Sequence, residues 1–214
     1  MDKHSTYYTV LEAIQTASEC PFCRLEDVAA HDYFTAILYE GVNDPKVRSE
    51  LRNALGYCHR HAHYLLKMRD SFGVAILYLD QIRLMKDRLA LQSKNTGSQS
   101  NRPICPTCRN QLENRERYLS VFVEALQEPE FRAAYENSNG LCLAHVELVS
   151  TVIKDAELVG YLRQVEATKL NELEGQLQEF LRKQDYRFAD EPFKKERDAW
   201  IRAINKLSGG EQTF

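Results

Sequence analysis

All six cysteines of this chain fall into one pattern written twice. Cys20-Pro21-Phe22-Cys23 is followed by Cys58-His59-Arg60-His61, and Cys105-Pro106-Thr107-Cys108 by Cys142-Leu143-Ala144-His145. Three thiols and one imidazole are the donor set of a closed tetrahedral zinc site, in which protein fills every position and the metal does no redox work. The spacing therefore predicts two structural Zn2+ ions, one per copy: Cys20, Cys23, Cys58 and His61 hold the first, and Cys105, Cys108, Cys142 and His145 the second.

The duplication runs beyond the ligands. An offset of 85 maps Arg24 and Tyr33 onto Arg109 and Tyr118, and an offset of 84 maps Pro45, Arg48 and Gly56 onto Pro129, Arg132 and Gly140. This internal repeat also chooses the histidine. Of His59, His61 and His63, only His61 aligns with a histidine, His145. His59 and His63 are left at the surface or beside the ligands, His31 faces solvent or a neighbouring carboxylate, and His4 lies in a loose N-terminus.

Other uses of the thiols fit less well. A dithiol oxidoreductase reads as a CxxC within a βαβ pattern, which is missing here, and it has no need of a distant CxxH. An iron–sulfur cluster ordinarily takes four cysteines, and neither CPxC is followed by the histidine of a haem-attachment motif. Four ligands per copy leave no open position for a catalytic water, so a structural role is favoured over an enzymatic one.

The periodicity is helical throughout. Leu25, Val28, Ala29, Ala36 and Ile37 recur at helix spacing, as do Leu112, Leu119, Phe122, Val123 and Leu126. Asn43-Asp44-Pro45 and Glu128-Pro129 read as starts of short helices that end near Gly56 and Gly140. Each CxxH opens a longer helix, the first spanning about 59–91 and the second interrupted near Gly160. A last short helix follows Pro192, with Phe193, Trp200, Ile201 and Ile204 on its apolar side. The fold class is thus all-α: two pseudo-repeated helical modules, each clipped by a Cys3His site, with long helices packed side by side. The modules occupy residues 1–91 and 103–160, joined by a polar linker at 92–102 and followed by a helical extension at 161–207 and a polar tail at 208–214.

Partners are less legible. The formal net charge is −3, and each zinc centre adds another negative charge because three thiolates outweigh a divalent ion, which counts against nucleic acid. No signal peptide or membrane-length apolar run is present, so a cytoplasmic protein without a membrane partner is expected. There, reducing conditions keep thiols available to metal. Leu170, Leu173, Leu177, Phe180 and Leu181 form a stripe that completes the core or pairs two chains as a homodimer. Lys183, Asp185, Tyr186, Arg187 and Glu191 crowd one connection and make a candidate ligand-binding corner, against the plainer reading that Tyr186 and Phe188 anchor the loop while Arg187 pairs with Glu191.

In these motifs the chain resembles an uncharacterised prokaryotic family marked by CPxC followed by CxxH, the pair repeated once, and a C-terminal Lys-x-Asp-Tyr-Arg-Phe stretch with a glutamate shortly after. The resemblance brings no activity with it, but implies that the corner from Lys183 to Glu191 belongs to the shared design. The reading that follows is a zinc-stabilised helical binding or adaptor protein that contacts a protein partner or a small ligand. The alternatives are a redox- or metal-responsive regulator or enzyme using the CPxC thiols, and a nucleic-acid-associated zinc protein.

Overall fold

The computed structural model of the chain describes residues 5–90, 103–188 and 190–211, so the linker expected at 92–102, His4 and the end of the tail lie outside the described residues. Among the described residues there are ten α-helices and no strand. They are α1 (Ser5–Thr16), α2 (Pro21–Ala36), α3 (Pro45–Asn53), α4 (His59–Lys67), α5 (Ser71–Ala90), α6 (Pro106–Ala125), α7 (Pro129–Asn137), α8 (Leu143–Val152), α9 (Ala156–Lys183) and α10 (Ala199–Ser208). Within the repeat, α2, α3 and α4 recur in the same order as α6, α7 and α8. No described helix is long and apolar enough to cross a membrane.

Local chemistry sets these boundaries. Proline opens α2, α3, α6 and α7, where its missing N–H would be unpaired in any case. Asp44 caps α3 by accepting from the amides of Lys46 (2.7 Å) and Val47 (3.3 Å). Gly56 and Gly140 follow the ends of α3 and α7 with φ of 91° and 72°, a backbone region that glycine enters at little cost.

Two helices end earlier than their apolar pattern suggests. The helix expected over 59–91 breaks at Met68–Asp70, where Arg69 turns left-handed (φ 59°) and Asp70 accepts from the amide of Gly73 at 2.8 Å. The second breaks at Ile153–Asp155, with Asp155 capping α9 through the amide of Glu157 (2.9 Å), while Gly160 lies inside α9. In both places an aspartate offers a new N-terminus, and a local cap outweighs continued apolar spacing. The first helix, α1, went unpredicted. The last helix is also corrected: α10 starts at Ala199, which leaves Phe193 before it and 5.5 Å from the Phe180 ring, and Trp200, Ile201 and Ile204 are 44 to 57% exposed while Ala199 is buried and Lys206 pairs with Glu166.

The chain divides into two compact units. One consists of the described residues up to Glu26 together with those from Arg115 onward, and the other of the described residues of Asp27–Asn114. In the first unit α1 packs on α7, and α10 on α8 and α9. Its core gathers Phe22, Phe131 and Tyr135 around Phe122, with ring centroids 5.3–5.7 Å from that of Phe122, and Tyr7 donates to Glu128 at 2.9 Å. In the second unit α3 and α4 pack on α5 around Phe34, Leu51, Tyr57, Tyr64, Leu65 and Leu77. Arg48 ties α3 to α5 through a bidentate pair to Asp80 at 2.6 and 2.7 Å.

Candidate metal centres

Each cysteine pair or cysteine–histidine pair sits on the first turn of a helix. Cys20 and Cys105 immediately precede α2 and α6, with Cys23 and Cys108 in the first turn; Cys58 and Cys142 are the N-caps of α4 and α8, with His61 and His145 three residues on. A CxxC or CxxH at this place aims both side chains to the same side. It also sets the sulfurs at the positive end of the helix dipole, which favours thiolate over thiol.

The eight predicted residues form two clusters, each with donor atoms within 4.8 Å of one another: Cys20, Cys23, Cys142 and His145, and Cys58, His61, Cys105 and Cys108. All eight are therefore brought together as two Cys3His groups. The pairing corrects the expectation, since each CPxC meets the CxxH of the other copy. The reason lies in α2. The aromatic contacts seating the Cys58 loop come from Phe34, 5.1 Å from Tyr57 and 5.8 Å from Tyr64. Phe34 stands near the C-terminal end of α2, whereas Cys20 immediately precedes its start. At the start of α2, Phe22 instead stacks on the His145 ring with centroids 5.3 Å apart.

The geometry suits a tetrahedral ion. Zinc–sulfur and zinc–nitrogen bonds of about 2.3 and 2.1 Å imply ligand-to-ligand edges of roughly 3.5–3.8 Å. In the first cluster Cys23 and Cys142 sulfurs are 3.7 Å apart, and His145 Nδ1 lies 3.4, 3.6 and 3.2 Å from the sulfurs of Cys20, Cys23 and Cys142. In the second, Cys58 and Cys108 are 3.7 Å apart, and His61 Nδ1 lies 3.3, 3.6 and 3.3 Å from Cys58, Cys105 and Cys108. The cysteines are free, with no disulfide among them.

Electrostatics make both clusters poor homes for protons alone. Burial pushes the Cys20 thiol well up, reinforced by contacts with Cys142 and Cys23. Among the other sulfurs, hydrogen bonding to Cys108 drives Cys105 down while the same contact drives Cys108 up, so the thiols share protons unequally. Burial opposes the charged form of His145, yet its contacts with Cys142, Cys23 and Glu26 carry its pKa up to about 11. A divalent ion held by either cluster would take the place of those protons.

The surroundings of the first cluster were not foreseen. His145 Nε2 lies 3.1 Å from Glu26 Oε1, and Glu26 is held in turn by Arg115 through Nε and Nη2. Burial raises the Glu26 pKa, but His145 and Arg115 outweigh it and hold the carboxyl below its ordinary value. Gly210, just past α10, donates its amide to Cys23 Sγ at 3.2 Å. The loop before Cys142 is fastened as well: buried Glu166 accepts from the Tyr135 hydroxyl, from the Leu141 amide at 2.8 Å and from Lys206 Nζ at 2.5 Å. Beside this loop opens a cleft of about 550 Å3, with Cys20, Cys142, Lys169, Arg202 and Lys206 in its lining. The only sequence signal for Glu26 was its place three residues after Cys23, which no repeat partner shares, because the offset of 85 puts Gln111 there.

The remaining predicted residues divide. Lys183 is buried, donating to Glu196 at 2.5 Å and to the Pro192 carbonyl at 2.9 Å, and the pairing pushes Glu196 down to about 2. Glu191 pairs with Arg182, whose guanidinium lies 4.3 Å over the Phe188 ring. Arg187 pairs with Asp185 at 2.6 Å and not with Glu191. Tyr186 is 87% exposed, so it does not anchor the loop. His59 and His63 are exposed, with rings 4.5 Å apart, and His31 is exposed 3.5 Å from Asp32.

Known proteins add kinship without an activity. Over 173 residues, 78% of this chain and 83% of the relative, the sequence is 27% identical to a protein of Caldicellulosiruptor sp. (strain Rt8B.4) described as an uncharacterised 23.9 kDa protein in the xynA 3′ region. No solved structure matches. The paired cysteine and histidine motifs, the helices that carry them and a match over residues 1–213 together establish that the chain belongs to the family described as a family of unknown function (DUF6062).

Proposed function

We propose that the chain is a zinc-stabilised helical binding protein, with one structural Zn2+ on Cys20, Cys23, Cys142 and His145 and a second on Cys58, His61, Cys105 and Cys108. The observation that carries this reading is the donor set: three sulfurs and one Nδ1 in each cluster, at separations that match the edges of a tetrahedron. A fourth protein ligand leaves no site for a reacting water, which supports a structural metal over a catalytic one. Thiols free of disulfides suit a reducing compartment such as the cytoplasm.

Binding is then the work of surfaces away from the metal. With Lys183 and Glu191 taken up in internal ion pairs, the corner offers Tyr186 and the Asp185–Arg187 pair to a protein partner; tyrosine and arginine are the residue types that dominate such contacts. Leu170 and Leu181 on α9 remain exposed and supply the apolar part of a face for a second copy of the chain. The test is elemental analysis of purified protein with circular dichroism before and after chelation. Two zinc per chain and loss of helicity on chelation are expected, because a structural zinc contributes on the order of 10 kcal/mol, comparable to a domain's whole stability. Iron in place of zinc, or metal that leaves a fully helical protein behind, overturns the reading.

A further inference from the structure

We propose that the two centres retain metal unequally: Cys58, His61, Cys105 and Cys108 form an exchangeable site, and Cys20, Cys23, Cys142 and His145 a permanent one. The inference rests on the reading that both clusters hold zinc. It begins from one repeated position. Three residues after each CPxC the chain carries Glu26 in the first copy and Gln111 in the second. Glu26 reaches His145 Nε2, so the ring is oriented by a carboxylate that Arg115 holds in place. Gln111 is also buried, but its Oε1 accepts from Arg60 at 3.0 Å, and among the described residues His61 Nε2 is buried without a hydrogen-bond partner. One ligating histidine is thus buttressed and its counterpart is not.

Access points the same way. Cys58 and Cys108 are partly exposed, whereas the four ligands of the other centre are all buried. Cys20 and Cys142 border the 550 Å3 cleft, yet they are only 6% and 0% exposed. A competing chelator removes zinc by attaching before the last protein ligand leaves, so an exposed sulfur offers the entry that a buried one denies. The amide of Gly210 also donates to Cys23 Sγ at 3.2 Å, which helps to hold that sulfur in its place. Outer partners of this kind change metal affinity by about 10–100-fold. The second centre is therefore the one that can pass zinc to, or take it from, a competing thiolate or chelator while the first keeps the fold closed.

The experiment follows zinc release from the intact protein into a chromophoric chelator, while N-ethylmaleimide labels newly freed thiols and peptide mass spectrometry locates them. Two zinc per chain at the outset establishes the underlying reading, and fewer than one overturns both. From a two-zinc protein we expect two phases separated by at least about tenfold, with Cys58, Cys105 and Cys108 labelled in the fast one. Glu26→Gln should bring the slow phase to within about tenfold of the fast one. Gln111→Glu should slow the fast phase, which keeps the test open if the first variant folds poorly. A single phase, or early labelling of Cys20, Cys23 and Cys142, overturns the inequality while leaving the zinc reading intact.

Discussion

Glu166 organises the approach to the buried centre, and the glycine beside it reports on how tightly. Its carboxylate accepts from Tyr135, Leu141 and Lys206, so the turn that delivers Cys142 is fixed by three donors from three directions. Gly140 lies against it with φ 72°, and a Cβ there would sit 2.7 and 2.8 Å from the Glu166 oxygens and 2.5 Å from Lys169 Cδ. Gly56 holds the same place in the other copy, with φ 91° and nothing within 4 Å of a built Cβ. Alanine at Gly56 should therefore cost only backbone strain, about 1–2 kcal/mol. Alanine at Gly140 should cost that and more, about 3 kcal/mol or above, because the buried carboxylate must also shift off its donors. Thermal unfolding of the two zinc-loaded variants decides the matter. Equal losses would mean that the Glu166 contacts do not hold the turn. None of this was legible beforehand: repeat alignment equates the two glycines, and their difference comes from α9 and α10, which the repeat does not contain.

At the level of elements, proline and aspartate were legible and long apolar runs misled. Asp44-Pro45 and Glu128-Pro129 mark α3 and α7 because both residue types act within one turn of themselves. The breaks at Met68–Asp70 and Ile153–Asp155 leave no mark in the apolar spacing, which continues across them, and only the caps by Asp70 and Asp155 reveal the new starts. Gly160, the interruption expected from the sequence, stands inside α9, exposed and with open space where a Cβ would be, as does Gly175. These two glycines weaken a helix of 28 residues without serving a turn or a close approach. Replacing either with alanine should stabilise the protein by about 0.5–1 kcal/mol, and the pair by roughly the sum, since they lie far apart on the helix. The check is the denaturant midpoint at unchanged slope; a loss on substitution at Gly160 would restore the interruption expected there.

For the whole molecule, the eight candidate ligands could be read from the sequence but the way they pair could not. Composition and spacing identify eight residues and two donor sets, because zinc chemistry constrains types and local spacing. Which CPxC meets which CxxH depends on where α2 and α6 carry the chain, and that is decided by aromatic packing at Phe22 and Phe34. The crossed arrangement makes each unit, and each centre, a joint product of both halves of the chain. It also separates cleanly from pairing within a copy. A protease site inserted between residues 95 and 96 of the full-length protein allows the peptide to be cut after folding, with all eight ligands in place. If the centres are crossed, each piece donates two ligands to each ion, so the cut pieces should elute together with two zinc and come apart only on chelation and mild denaturant. Pieces that elute separately, each with its own zinc, would restore pairing within the copies. Gel filtration with metal analysis of every fraction distinguishes the two outcomes, because crossed ligands make zinc itself the link between the halves.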